Sequence, residues 1–115
     1  MVPLFLFSVQ PSAVIDPPSI IYQAQEIVYI TCHVSGFPSP SVLWYKDGLL
    51  VEFSERVNIE QNSLVIGDAQ LSDAGKYECA AWNIAGQSRA TAELVYTGIY
   101  TAFIIMKTYI ILCWE

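Results

Sequence analysis

The sequence predicts an all-β domain, an antiparallel sandwich or barrel of six or seven short strands, and three observations carry that reading. Apolar and polar residues alternate with period two along several short runs. Glycine, proline, asparagine and aspartate break those runs at short intervals, as tight turns require. Between residues 17 and 97 no stretch leaves room for a helix longer than one turn. The length of 115 residues suits one domain and is too short for two. With 54% apolar and 14% charged residues, the chain is neither disordered nor of low complexity.

The alternation is clearest where Val28, Ile30, Cys32 and Val34 take one side of a strand and Tyr29, Thr31 and His33 the other. Gly36-Phe37-Pro38-Ser39-Pro40 ends that strand, because proline has no N–H to give to a ladder. Residues 42–46 form the next, closed by Asp47-Gly48, a hairpin pair that tolerates positive φ. Residues 56–59 and 63–66 are two more short strands around a turn at Gln61-Asn62. A longer connection runs from Gly67-Asp68 to Asp73-Ala74-Gly75, where Gly75 supplies a backbone angle that other residues resist. Residues 76–82 are again a strand. Asn83-Ile84-Ala85-Gly86 turns tightly into the last one, residues 87–96.

Cys32, Trp44 and Cys79 all fall on the inward phase of their strands, Trp44 12 residues and Cys79 47 residues after Cys32. Tyr77, two residues before Cys79, is placed to turn its hydroxyl back onto the preceding corner. Asp73 in that corner has a partner of opposite charge in Arg56, and a charge-assisted bond between them would tie two connections together.

Taken together, Cys32, Gly36-Phe37-Pro38-Ser39-Pro40, Trp44-Tyr45-Lys46-Asp47-Gly48, Leu64-Val65-Ile66, Asp73-Ala74-Gly75-Lys76-Tyr77-Glu78-Cys79 and Ala81-Trp82-Asn83-Ile84-Ala85-Gly86 resemble an immunoglobulin domain of the I-set, over about 80 of the 115 residues. The resemblance implies an immunoglobulin-like sandwich whose two sheets are pinned by a Cys32–Cys79 disulfide, with Trp44, Tyr77 and Leu64 in the core. On the chain-entropy model, closing that loop contributes about 4 kcal/mol. The cysteines are too close in sequence for a variable-type domain, which needs a further hairpin after Leu49-Leu50. Trp82 departs from the family pattern, being bulkier than the usual residue at an outward position.

Three segments follow: 1–16, an apolar N-terminal stretch; 17–97, the I-set domain; and 98–115, an apolar tail outside the fold. The first has no basic residue ahead of its apolar run, so it reads as a weak signal or a prefix foreign to the domain. The tail holds 13 apolar residues in 18, near the length of a membrane span. Lys107 at its centre costs about 2.5–3.5 kcal/mol and cancels most of that drive. Membrane association of the tail is therefore not the expected outcome. With Cys113 left over, the tail fits a chain that is one piece of a longer multidomain protein.

Composition and motifs exclude most chemistry. Five Lys and Arg against 11 Asp and Glu give a formal charge of -6, and scattered cations do not make the clustered patch that nucleic-acid phosphates require. Gly86-Gln87-Ser88-Arg89-Ala90 lacks the second glycine of a nucleophile elbow, and a strand follows it rather than a helix. His33 is the only histidine and reads as a half-exposed strand residue. Neither a zinc spacing nor a calcium loop nor a phosphate-cradling loop is present, so no cofactor, metal or small-molecule substrate is expected and the chain is not an enzyme.

What remains is recognition. Tyr29, Phe53, Tyr45 and Trp82 take outward or rim positions, and Tyr45 with Trp82, on neighbouring strands, form the candidate binding surface. The competing role for that pair is cross-strand packing that only stabilises the sheet. The I-set resemblance implies a protein-binding module of an extracellular matrix, adhesion or receptor-type protein, secreted or extracellular, whose partners are other proteins or neighbouring immunoglobulin domains. Two alternatives stand beside it: a spacer in an intracellular cytoskeletal filament, and a module of a secreted protease-inhibitor or growth-factor-binding regulator.

Overall fold

The computed structural model describes residues 7–98. Nine strands form two sheets: β1 (Val9–Ile15), β2 (Ser19–Tyr22), β3 (Val28–Phe37), β4 (Ser41–Lys46), β5 (Leu49–Leu50), β6 (Val57–Glu60), β7 (Ser63–Ile66), β8 (Gly75–Asn83) and β9 (Gly86–Tyr96). One sheet has the order β1-β3-β7-β6 and the other β2-β9-β8-β4-β5. The fold is thus an all-β sandwich, joined between its sheets by the Cys32–Cys79 disulfide with Cα atoms 6.4 Å apart.

The domain begins earlier than the sequence reading places it. Val9–Ile15, assigned above to a segment outside the fold, is strand β1 and pairs antiparallel with β3, Ile15 opposite Cys32. Two features hide this strand. Pro11 looks like a breaker, yet β1 is an edge strand whose register shifts between Val9 and Ser12, and edges and bulges are where sheets accept proline. Val14 lies outward and exposed, so Ala13, Val14 and Ile15 show no apolar alternation although Ala13 and Ile15 are buried.

The second departure is one of direction. Among the described residues every ladder is antiparallel except β2 with β9, which run parallel with Ser19 opposite Glu93 and Tyr22 opposite Tyr96. The two prolines at 17 and 18 explain the switch, because neither offers an N–H to extend the ladder of β1 with β3. The chain leaves the first sheet at Asp16 and re-enters beside β9, where the carbonyl of Pro18 accepts the Glu93 N–H at 2.9 Å. The expected tail, 98–115, and Cys113 with it, lies outside the described residues apart from Gly98. Among the described residues no helix is long and apolar enough to cross a membrane.

The core sits between the sheets. Ile30, Cys32, Leu64, Ile66, Cys79 and Leu94 are almost wholly inaccessible, and Trp44 lies in register with Cys79 across the β4–β8 ladder. Each such large apolar side chain contributes roughly 1.5–3 kcal/mol by burial. The turns follow local chemistry. Asp47 (φ 50°) and Gly48 (φ 85°) close the two-residue hairpin from β4 to β5, in the left-handed geometry that matches strand twist. Gly75 carries φ 150°, a backbone angle that favours glycine, and a Cβ there would stand 2.6 Å from Asp47 Oδ2, so the Asp47 side chain would have to shift.

Candidate interaction surface and the corner beneath it

The connection from β7 to β8 contains one 3-10 turn, Leu71–Asp73, and it assembles a polar corner. The Asp73 carboxylate receives both arms of the Arg56 guanidinium, Nη1 to Oδ2 at 2.6 Å and Nη2 to Oδ1 at 2.9 Å. It also accepts the Gln70 N–H at 2.8 Å, while the Asp73 carbonyl accepts the Tyr77 hydroxyl at 2.7 Å. Arg56 Nη1 reaches the carbonyls of Gly67 and Asp68 as well.

Asp73 is the single buried charged or polar residue among those described, and its pairing explains how it stays ionised. Burial alone would raise its carboxyl. The Arg56 hydrogen bonds, the Gln70 N–H and the positive charges of Arg56 and Lys46 outweigh burial and hold it below the usual carboxylate range. Burial, reinforced by the negative charge of Asp73, pushes the Tyr77 phenol far up, so it stays a hydrogen-bond donor at any physiological pH.

A second tyrosine completes the corner. Tyr22, almost fully buried, donates its hydroxyl to the Gln70 carbonyl and stacks at a tilt on Tyr96, ring centres 5.3 Å apart. Its partner is 48 residues away in sequence, and nothing short-range points to it.

At the opposite end of the sandwich Asn83 acts as a clamp. Its Nδ2 donates to the carbonyls of Val9 (2.8 Å) and Pro38 (3.0 Å), and its Oδ1 accepts the Ala85 N–H at 2.8 Å. One side chain thereby joins the start of β1, the β3–β4 connection and the β8–β9 turn. Trp82, the preceding residue, is held at that anchored end.

Tyr45 and Trp82 both face outward from the β2-β9-β8-β4-β5 sheet but do not meet. Tyr45 lies opposite Glu78, and Trp82 lies opposite Ser41 and Gln87, four positions further along β8. At about 3.3 Å per residue that is about 13 Å. Leu43 and Ala80, which oppose each other, fill the interval. Trp82 and Leu43 are each 39% exposed, and Leu50, opposite Tyr45, is 56% exposed. The result is an apolar stripe of Trp82, Leu43, Tyr45 and Leu50 along one side of the face.

Charged residues lie beside the stripe. The Arg89 guanidinium stands 6.0 Å from the centre of the Tyr45 ring and binds Glu78 at 2.6 Å. An apolar stripe flanked by a positioned cation can bury apolar surface against a protein partner while its rim stays polar. Tyr29 is exposed on the other sheet and Phe53 in the connection after β5, so neither joins this stripe. His33 is exposed on β3 opposite Val14. Among the described residues no three His, Cys, Asp or Glu side chains group as metal ligands would.

Comparison with known proteins places this geometry. The family model described as "Immunoglobulin I-set domain" matches residues 11–95, a span that includes most of β1. Mouse Hemicentin-1 is 41% identical over 76 residues, covering 64% of this chain and 1% of its own length, so the chain spans a small part of that relative. The structure of Drosophila OTK, extracellular domains 3-5, superposes with a TM-score of 0.71 at 30% identity over 77% of this chain and 32% of that one. The titin M3 domain superposes with a TM-score of 0.68 at 26% identity, covering 76% of this chain and 97% of the other.

Proposed function

The chain belongs to the immunoglobulin I-set domain family, and on that premise we propose that it is a non-enzymatic recognition module of a multidomain extracellular matrix, adhesion or receptor-type protein, binding through the outer face of the β2-β9-β8-β4-β5 sheet. The observation that carries this reading is the apolar stripe of Trp82, Leu43, Tyr45 and Leu50, standing exposed beside the Arg89–Glu78 pair. Trp, Tyr and Arg are the side chains on which binding energy concentrates at interfaces.

Likeness to the extracellular domains 3-5 of Drosophila OTK and to Hemicentin-1 supports the extracellular setting, as does a bonded Cys32–Cys79 pair. Likeness to a titin domain supports the second reading, a spacer in an intracellular filament. An intact-mass thiol count on protein alkylated in its native cells separates them. One free thiol fits the extracellular module and three fit the filament spacer.

Recognition itself is tested by screening the full chain against an array of purified extracellular proteins, this chain included. Binding to a member of the array that Trp82→Ala weakens about tenfold or more, with an unchanged melting temperature, supports the proposal. A lowered melting temperature with no binding altered assigns Trp82 to sheet packing and overturns it.

A further inference from the structure

A second surface, separate from the stripe's centre, lies at the edge of the same sheet. β5 pairs with β4 alone, so its other side has no strand beside it. Natural sheets guard such edges by keeping them short, charging them or covering them, since an open edge is a template for another chain, and β5 is short, two residues. The two residues of β5 carry bare apolar side chains, Leu49 at 75% and Leu50 at 56% exposure, and Phe53 in the connection that follows is 55% exposed.

Next to this edge opens a cavity of about 320 Å³, lined by Leu49, Leu50, Val51 and Val57 with the carboxylates of Asp47 and Glu52 among its walls. Asp73 and Lys46 also line it. The Asp73 charge is paired with Arg56, whereas the Lys46 ammonium donates to the Ser72 carbonyl and keeps its positive charge. With both Asp47 and Glu52 present the lining is still net negative. Asp47 gives one oxygen to the Lys76 N–H, and the exposed Glu52 makes no hydrogen bond or ion pair among the described residues. Apolar walls with carboxylates among them suit a side chain with an aliphatic stem and a cationic head. That description fits arginine and lysine.

We propose that the open side of β5 is a docking edge for an extended, basic segment of a partner protein, one of whose arginine or lysine side chains enters this cavity. Main-chain pairing with the two residues of β5 would hold the segment at the edge, and the cavity would select the cation. Charge complementarity favours this occupant over a second copy of the chain, because the chain carries a formal charge of -6. The site shares Leu50 with the stripe but involves neither Trp82 nor Leu43 nor Tyr45.

The test uses the full chain and a fluorescent, end-capped seven-residue peptide that alternates arginine and valine. Fluorescence polarisation at 0.1 M salt is expected to show saturable binding. Glu52→Lys should weaken it about tenfold or more. Glu93→Lys, the same charge change on exposed β9 three strand positions away, should change it less than about twofold. Both substitutions are at exposed positions, and because Glu93→Lys faces Lys76 across the β8–β9 ladder, the melting temperature of each variant is measured alongside to show that it remains folded. Four results would overturn the proposal: no saturable binding; equal binding of a peptide with glutamate in place of arginine; equal weakening by the two variants, which marks diffuse attraction; or a concentration-dependent dimer that the peptide does not dissociate, which makes a second copy the occupant.

Discussion

The described residues contain two arginine–carboxylate pairs that differ in almost everything except chemistry. Arg56–Asp73 is bidentate, its carboxylate side chain is 9% exposed, and a backbone N–H and a tyrosine corner complete it. Arg89–Glu78 is a single contact at the same 2.6 Å, with side chains 52% and 24% exposed. Distance alone therefore says little about an ion pair's role. Where the carboxylate is buried and held by three hydrogen bonds, losing one partner strands a charge. Where water reaches both groups the same pair contributes little to stability and is available for recognition.

Breaking the buried pair should give the largest effect. Asp73→Ala removes the acceptor for Arg56 and Gln70 together, and urea denaturation should show a loss of about 3 kcal/mol. Gly75→Ala should follow at roughly 2 kcal/mol by the same measurement, since it adds strain at φ 150° and presses a methyl on the Asp47 carboxylate. Tyr77→Phe leaves the Asp73 carbonyl without its buried donor, and a loss of about 1–2 kcal/mol is expected.

The acid limb sharpens the contrast. The folded-state pKa of Asp73 lies below that of the unfolded chain, about 3.9 for a free aspartate. Its contribution is therefore complete above the unfolded value and disappears as pH falls through the folded one. Wild type should lose stability steeply below about pH 4, and Asp73→Asn should flatten that fall while lowering the plateau at neutral pH. Arg89→Ala closes the series. Its denaturation midpoint should shift by no more than about 0.5 kcal/mol, and a larger shift would put the exposed pair in the same class as the buried one.

Legibility from sequence followed the range of each interaction. The inward phase of Cys32, Trp44 and Cys79 is a matter of period two within single strands, and the hairpins at Asp47-Gly48 and Gln61-Asn62 are matters of local backbone preference. β1 escaped notice because Pro11 and the outward Val14 erase its alternation, and only the neighbouring β3 makes it a strand. Tyr22 and Asn83 escaped for a different reason: their partners lie 48, 45 and 74 residues away, beyond any window that periodicity can scan. For Tyr45 and Trp82 the shared face was readable from parity. Their separation was not, since it depends on the register that sets Tyr45 against Glu78.

The parallel pairing of β2 with β9 has a mechanical meaning. Asn83 holds the start of β1 at the end of the sandwich where β9 begins, and the chain leaves β9 at the other end, where Thr97 donates to the Tyr22 carbonyl. Tension along the protein thus pulls β2 and β9 past each other lengthwise. The four register pairs from Ser19–Glu93 to Tyr22–Tyr96 share the load at once rather than opening one after another. Should that ladder slip, the Cys32–Cys79 bond still withholds the 47 residues of its loop, roughly 160 Å of extended chain, from the extension.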